Sequence, residues 1–189
     1  MNYKTEVKIR NRAKFLTNGL AIKDLPVQPI KLIRQIYGVD IDIIYDDLCG
    51  EDGYILKANG RYRVCLDINK HNRRKNFTEA HEIGHIVLGH FKYRDEVRRI
   101  YYRHLEQQAN IFASELLMPE HLIVEHLNAL PELTPDSLAK RFHVSSDVMG
   151  IRMKDIEKKY KIPDSDKVSY GKNFIFYRET ETTINYNIL

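Results

Sequence analysis

The sequence has few cysteines, few prolines and no long apolar run, and each shortage excludes a class of protein. Two cysteines, Cys49 and Cys65, are too few for a disulfide scaffold, and neither belongs to a Cys-x-x-Cys pair. Nine glycines and six prolines exclude collagen-like and low-complexity chains. No window approaches the roughly 18 consecutive apolar residues of a transmembrane helix, and the N-terminal segment lacks a signal-peptide block. We therefore expect a soluble protein of the reducing cytoplasm.

The composition is that of an ordinary globular chain, with 43% hydrophobic and 30% charged residues. Its 189 residues fit the norm of about 100–200 residues for one domain. The net charge of +4 permits contact with nucleic acid but does not require it. We expect a single domain over residues 1–163, with a site core at 71–119 and a helical hairpin at 134–160. The tail over 164–189 is aromatic and β-branched, which predicts a β-hairpin or an edge strand.

Hydrophobic periodicity predicts the order of helices and strands. Apolar residues recur at three- and four-residue spacings over 7–16 and 30–36, which predicts two helices. The alternating, Ile-rich stretch 41–48 predicts a strand, and Asn59-Gly60 predicts the type I′ turn of a hairpin. The later segments have a helical period. We therefore expect an α+β fold in which a small antiparallel sheet with a hairpin packs on a mainly helical core.

A metal-binding pattern lies in one of the predicted helices. His81, Glu82 and His85 fit H-E-x-x-H, with Thr78 as the predicted N-cap of that helix. At 100° per residue the two histidines lie about 40° apart and one turn apart, so both imidazoles can bind one Zn²⁺. Glu82 falls about 80° from the line between them, a position from which its carboxylate can act as general base on a water molecule.

A catalytic zinc site needs a third protein ligand. His90 would lie about 140° from His85 on a continuing helix and could not reach the same ion without a break, so we interpret it as a surface residue or an outer contact. Glu106 and Glu115, on the next long helix, lie about 180° apart, so only one of them can face the metal. Asn110 shares a face with Glu106 and could orient a ligand, which favours Glu106, with Glu115 as the alternative.

Two blocks of the sequence, RKNFTEAHEIGHIVLGH and EQQANIFASELLMP, resemble the core of the ImmA/IrrE family of metallopeptidases. The resemblance spans residues 74–119 and extends more weakly over 25–160. It implies a zincin-like core with Zn²⁺ bound by His81, His85 and Glu106, and with Glu82 as the catalytic base. Asn110, the proposed orienting residue, lies within the second block.

The resemblance also implies a function. We expect a cytoplasmic zinc endopeptidase that hydrolyses a peptide bond in a helix-turn-helix repressor of a mobile element, a prophage or a stress response. The alternative is a non-catalytic regulator that keeps the fold but binds a repressor or DNA. Direct DNA binding through 134–160, with Lys140 and Arg141 on phosphates, is the least favoured hypothesis, since the apolar residues there explain a packed helical hairpin.

Overall fold

The computed structural model describes residues 2–93, 99–129, 134–160, 167–169 and 175–177 of the chain. The helices are α1 (Tyr3–Thr17), α2 (Pro29–Tyr37), α3 (Asn72–Val87), α4 (Arg99–Leu117), α5 (Glu120–Ala129), α6 (Pro135–Arg141) and α7 (Ser146–Tyr160), with 3₁₀ turns at Ile22–Asp24 and His90–Tyr93. The strands are β1 (Ile41–Asp46), β2 (Gly53–Ala58), β3 (Arg61–Asp67), β4 (Lys167–Ser169) and β5 (Ile175–Tyr177). This content confirms the predicted α+β fold.

The sheet in the first half of the chain has the strand order β1-β3-β2. Strands β2 and β3 pair in the predicted antiparallel hairpin, and positive φ angles at Asn59 and Gly60 match a type I′ turn. Strand β1 instead pairs in parallel with β3, so the sheet is mixed rather than wholly antiparallel. The tight turn keeps β3 beside β2, and the longer connection over 47–52 leaves room for β3 between β1 and β2.

Helix α3 is the central helix, because it contacts both the sheet and α4. Its Ile83 side chain is fully buried, as are Phe112 and Leu116 on α4 and Val64 on β3. Burying an apolar side chain of this size stabilises the fold by roughly 1.5–3 kcal/mol. The two helices that carry the predicted metal ligands are therefore held side by side by the hydrophobic core.

The beginning of α3 differs from the prediction. The helix begins at Asn72, with the His71 side chain accepting a hydrogen bond from the Arg73 backbone as N-cap, so Thr78 is not the cap. Thr78 lies inside the helix, where its hydroxyl donates to the carbonyl of Arg74. No glycine or proline interrupts 72–78, which allows the helix to start about two turns earlier.

The end of α3 has a sharp change of direction. Leu88 is the C-cap, and Gly89 follows with a φ of +73°, a left-handed conformation that glycine adopts without strain. A 3₁₀ turn then begins at His90. This break returns the chain toward α3 and places His90 differently from a residue on a continuing helix.

The second half of the described chain contains the pair α6 and α7, which pack against each other. The Thr134 and Ser145 side chains cap their N-termini by accepting hydrogen bonds from backbone N–H groups. Leu138, Ala139 and Phe142 are fully buried, which supports packing as the role of this segment. None of the helices in the described ranges has the length and apolar character that crossing a membrane requires.

The described part of the tail consists of β4 and β5, which pair antiparallel in a two-stranded sheet of their own. Whether the tail as a whole is a hairpin or an edge strand stays a prediction. The rest of the predicted tail segment lies outside the described residues, and the boundary at residue 163 stays a prediction.

Candidate metal centre

The two histidines of the H-E-x-x-H pattern converge on one point. His81 and His85 follow each other by one turn on α3, and their Nε2 atoms lie 3.1 Å apart. Both side chains are partly buried, with 14% of each exposed. The spacing of the two histidines on the helix allows this convergence. The packing of α3 on the core then determines what that side of the helix faces.

Glu106 on α4 completes a group of three. Its Oε2 lies 3.1 Å from His81 Nε2, and its Oε1 lies 3.4 Å from His85 Nε2. Ligand atoms about 2.0–2.1 Å from a tetrahedral zinc ion lie about 3.3 Å from one another, so these separations fit the edges of such a site. The donor set of two imidazole nitrogens and one carboxylate is also one that binds zinc. The three predicted ligands are thus brought together, and they fit a divalent metal ion.

Glu115, the alternative third ligand, lies elsewhere. Its side chain is 1% exposed and forms an ion pair with Arg152 of α7, with Nη2 2.7 Å from Oε1. Its second oxygen accepts a hydrogen bond from Arg10 of α1 at 3.0 Å. The two carboxylate oxygens therefore bind the buried Arg152 and the partly buried Arg10, in a network that joins α1, α4 and α7. Glu106 and Glu115 point to opposite sides of α4, as helical periodicity requires, so Glu106 lies in the cleft and Glu115 in the core.

The far nitrogen of His81 has the partner that the sequence predicted. Asn110, one turn after Glu106 on α4, places its Oδ1 2.9 Å from His81 Nδ1. An amide oxygen in this position accepts a hydrogen bond from Nδ1–H and leaves the lone pair of Nε2 directed at the metal position. α4 thus supplies both Glu106 and the residue that orients His81.

His85 has a corresponding partner, His90, which the sequence analysis predicted only in part. His90 is 5% exposed, so the expectation of a surface residue is wrong, while that of an outer contact is met. Its Nδ1 lies 2.9 Å from His85 Nδ1, and its Nε2 lies 3.3 Å from Gln108 Oε1. Sequence reasoning missed Gln108 altogether. Gly89 directly before His90 was the available signal, because a glycine there permits the break that this contact needs.

Glu82, the predicted base, is a buried carboxylate beside these ligands. It is 7% exposed and lines the same cavity as His81, His85 and Glu106. Its negative charge is close enough to His81 to raise the pKa of that imidazole. The carboxylate therefore lies beside the group of His81, His85 and Glu106, in the same cavity.

Opposing electrostatic effects act on the ligands. Burial lowers the pKa of His81, but the hydrogen bond with Glu106 and the negative charges of Glu82 and Glu106 outweigh it, so the pKa is raised. Burial raises the pKa of Glu106, but the hydrogen bond with His81 and the charge of His85 outweigh it, so the pKa is lowered. Burial lowers the pKa of His90. Glu106 is therefore held as a carboxylate, the form that binds a cation.

The site opens into a cleft of about 930 Å³. Edge strand β2, helices α3 and α4 and the first turn of α7 form its walls. Tyr102 of α4 also lines it, and its hydroxyl donates a hydrogen bond to Glu106. Residues that line the cleft away from the ligands include Asp52, Gly53, Tyr54, Ile55, Arg74, Phe77, Ser146 and Val148. A cleft of this size holds several residues of a peptide.

Comparison with known proteins identifies the family. A family profile described as the IrrE N-terminal-like domain of peptidases matches residues 38–154, which is more than half of the chain. The chain belongs to the IrrE N-terminal-like peptidase family. The predicted resemblance to ImmA/IrrE proteins is thereby confirmed, and membership of the IrrE-like family supports a metallopeptidase of this type that carries a metal ion. The match includes His81, Glu82, His85, Glu106 and Asn110.

Two individual proteins resemble this IrrE-like chain. Metallopeptidase ImmA of Bacillus subtilis (strain 168) is 27% identical over 128 residues, which cover 66% of this chain and 72% of that protein. The solved structure of a Mycobacterium tuberculosis transcriptional regulator superposes with a TM-score of 0.55 at 15% identity, over 81% of this chain. The match spans 47% of the regulator, and at this identity it shows the shared fold alone.

Proposed function

We propose that this chain is a zinc endopeptidase that hydrolyses a peptide bond in a protein partner. The observation that carries the proposal is the convergence of His81 Nε2, His85 Nε2 and Glu106 at 3.1–3.4 Å, beside the buried Glu82, in a member of a peptidase family. Tetrahedral sites with two histidines and one glutamate leave a fourth position for water or substrate. The arrangement supports hydrolysis rather than a purely structural metal.

The proposed roles divide between the metal and Glu82. A bound Zn²⁺ would polarise the scissile carbonyl and lower the pKa of water toward about 7. The Glu82 carboxylate would accept a proton from the attacking water and then donate it to the nitrogen of the leaving amine. Asn110 and His90 would hold the two imidazoles in the orientation that the ligand geometry needs. General acid–base catalysis of this kind contributes about 10²–10⁴-fold to a rate.

Strand β2 supports an extended peptide as the substrate. In the three-stranded sheet of the described chain, β2 pairs on one side with β3 and lies at the edge. Its first residues, Gly53, Tyr54 and Ile55, line the cleft. An edge strand presents backbone N–H and C=O groups to which an extended peptide can add as a further strand. The peptide would then lie along β2 with its scissile bond beside Glu82.

The proposed partner is a helix-turn-helix repressor, as the family resemblance implies. The name of the Bacillus subtilis relative, a metallopeptidase, supports the proteolytic part of this proposal. We also propose a cytoplasmic location, which agrees with free thiols at Cys49 and Cys65. We propose no direct DNA binding, because the apolar residues of α6 belong to the core.

The experiment compares the wild type with Glu82→Gln, which retains the three ligands but lacks the base. Both proteins are loaded with one equivalent of Zn²⁺ and incubated with a helix-turn-helix repressor encoded beside the gene. Mass spectrometry then identifies fragments. We expect cleavage at a defined bond by the wild type, loss of cleavage with a chelator, recovery on adding Zn²⁺, and a rate about 10²–10⁴-fold lower for Glu82→Gln.

Two results would contradict the proposal. Equal loss of repressor with both proteins would assign the cleavage to a contaminating protease. A stable complex of the zinc-loaded chain with an uncut repressor, formed equally well by wild type and Glu82→Gln, would favour the non-catalytic regulator instead.

A further inference from the structure

His85 has a buried hydrogen-bonding partner on the side away from the metal position. His90 Nδ1 lies 2.9 Å from His85 Nδ1, while His85 Nε2 points to His81 and Glu106. The second nitrogen of His90 reaches Gln108 Oε1 at 3.3 Å. The positions of these atoms form a continuous chain from α4, through the 3₁₀ turn after α3, to the metal position.

The donor and the acceptor of each hydrogen bond in this series follow from its two ends, the metal position and the Gln108 oxygen. If His85 binds a metal through Nε2, that nitrogen supplies a lone pair and the ring proton must be on Nδ1. His85 Nδ1–H then donates to His90 Nδ1, which has to be an acceptor, so the proton of His90 is on Nε2. That Nε2–H donates to Gln108 Oε1, an oxygen that only accepts. Each of the two hydrogen bonds therefore has one donor and one acceptor, in a single consistent direction.

We propose that His90, held by Gln108, is a positioning residue that selects Nε2 as the metal-binding nitrogen of His85 and fixes the orientation of its ring. This inference rests on the proposed metal site. It concerns metal binding and not peptide hydrolysis.

Because His90 is buried, water cannot readily take its place beside His85. His90 is 5% exposed, whereas Asn110, which contacts His81, lies at an exposed position. Water can replace the Asn110 oxygen as an acceptor, but it has little access to the position of His90. Loss of the His90 acceptor would therefore remove the 2.9 Å contact of His85 Nδ1 at a position that is 5% exposed. We expect the His85 side of the site to depend more strongly on its partner than the His81 side does.

The mutational test uses matched variants and metal affinity. His90→Leu removes the acceptor, and His90→Gln retains an oxygen for His85 and an N–H for Gln108. Zn²⁺ affinity is measured by competition with a chelator, and the absorption spectrum of the Co²⁺-loaded protein reports ligand geometry. We expect His90→Leu to weaken Zn²⁺ binding by about 10–100-fold with an altered Co²⁺ spectrum, and His90→Gln to restore most of both. Gln108→Leu should weaken binding less, in the same direction.

The tautomers can be read in the wild type without any variant. In the Zn²⁺-loaded protein with ¹⁵N-labelled histidine, long-range ¹H–¹⁵N spectra should show His85 protonated at Nδ1 and His90 protonated at Nε2. A His90 protonated at Nδ1 would overturn the inference. So would affinities of His90→Leu and His90→Gln that both lie within about twofold of the wild type.

These outcomes separate the inference from the proposed function. Unchanged Zn²⁺ binding in His90→Leu overturns the role of His90 and leaves the peptidase proposal intact. The expected loss of affinity, in a protein whose wild type cleaves no repressor, supports the role of His90 and counts against the peptidase. A wild type that binds no Zn²⁺ overturns the metal site and this role together.

Discussion

Gly84 of α3 lies against the backbone of Ala109 of α4. A Cβ added at Gly84 would be 3.3 Å from both the Cα and the carbonyl oxygen of Ala109, and 3.1 Å from Cδ1 of Phe112. Gly84 directly precedes His85, and Ala109 follows Glu106 by three residues. The absent side chain therefore allows the two helices to approach each other where their metal ligands meet.

The first prediction concerns this contact. Gly84→Val places methyl groups against the α4 backbone, which cannot move aside as a side chain can, so we expect a loss of about 1–3 kcal/mol in the free energy of unfolding. The wider gap between α3 and α4 should also weaken Zn²⁺ binding by at least about tenfold, since the ligand separations would no longer fit one ion. Urea denaturation and chelator competition measure the two effects.

Gly84→Ala is the matched control for that variant. Its single Cβ needs only a few tenths of an ångström of adjustment at the Phe112 ring and the Ala109 backbone, whereas valine adds two further methyl groups there. Alanine also favours a helix over glycine by roughly 0.5–1 kcal/mol. We expect a much smaller change in both measurements. Valine and alanine variants with equal Zn²⁺ affinity would show that close approach of the helices does not control the site.

The second prediction separates the two glutamates of α4. Glu106→Gln should weaken Zn²⁺ binding severely with little effect on the stability of the metal-free protein, because Glu106 lies in an open cleft. Glu115→Gln should keep the Zn²⁺ stoichiometry but lower the free energy of unfolding by about 3–5 kcal/mol, because it leaves Arg152 charged and buried without its carboxylate. Titration with Zn²⁺ and urea denaturation in chelator distinguish the two.

A double replacement tests the cause assigned to Glu115. Glu115→Leu combined with Arg152→Met removes both buried charges, so the loss of stability should be smaller than that of Glu115→Gln alone. A larger loss in the double variant would assign the effect to packing rather than to an unpaired charge.

The third prediction is a pH dependence at Glu79. This carboxylate lies in the middle of α3 and accepts a hydrogen bond from the backbone N–H of Ile30, and burial raises its pKa. A raised pKa in the folded state means that the unfolded chain ionises first, so the stability of the wild type falls as pH rises through the folded pKa. Glu79→Gln keeps an oxygen for Ile30 and lacks the charge.

We therefore expect Glu79→Gln to exceed the wild type in free energy of unfolding at pH 8, with a difference that shrinks as the pH falls through the raised folded-state pKa toward the ordinary pKa of glutamate. Urea denaturation between pH 4 and pH 8, in chelator, measures it. Glu79→Leu is the control, since it removes the hydrogen bond as well as the charge. A difference that is constant over this range would indicate a packing effect and refute the electrostatic cause.

The fourth prediction concerns stabilisation by the metal. Free Zn²⁺ at about 100 times its Kd should raise the free energy of unfolding of the wild type by about 2.7 kcal/mol. Glu82→Gln should gain nearly as much, because Glu82 is proposed as a base and not as a ligand. His81→Ala should gain much less. Equal stabilisation of all three proteins would place the zinc at some other site.

Some outcomes could be predicted from the sequence because they are local. The spacing of His81 and His85 on a helix places both imidazoles on one side, whatever the helix packs against. Asn59-Gly60 similarly predicts the hairpin of β2 and β3, because few residue pairs adopt positive φ in succession. The half-turn between Glu106 and Glu115 required one of them to face away, and the companion residue Asn110 indicated the one that the structure places beside the histidines.

Other outcomes depend on distances between segments that are far apart in the chain. The parallel pairing of β1 with β3 follows from the path of a connection, which periodicity within one strand does not reveal. The buried network of Glu115, Arg152 and Arg10 unites three helices, so no single helix predicts it. The angle calculated between His85 and His90 assumed a continuing helix, but α3 ends at Val87 and Gly89 then turns the chain.

The amino-acid sequence by itself determined the family, the helix that carries both imidazoles and the residues capable of binding a metal, because these depend on residue type and on the fixed geometry of a helical turn. Only the tertiary structure decided that Glu106 lies 3.1 Å from His81, that His90 returns to His85, and that Glu115 is enclosed in the core. Those relationships arise from packing between helices, where a single glycine sets how closely two backbones can approach.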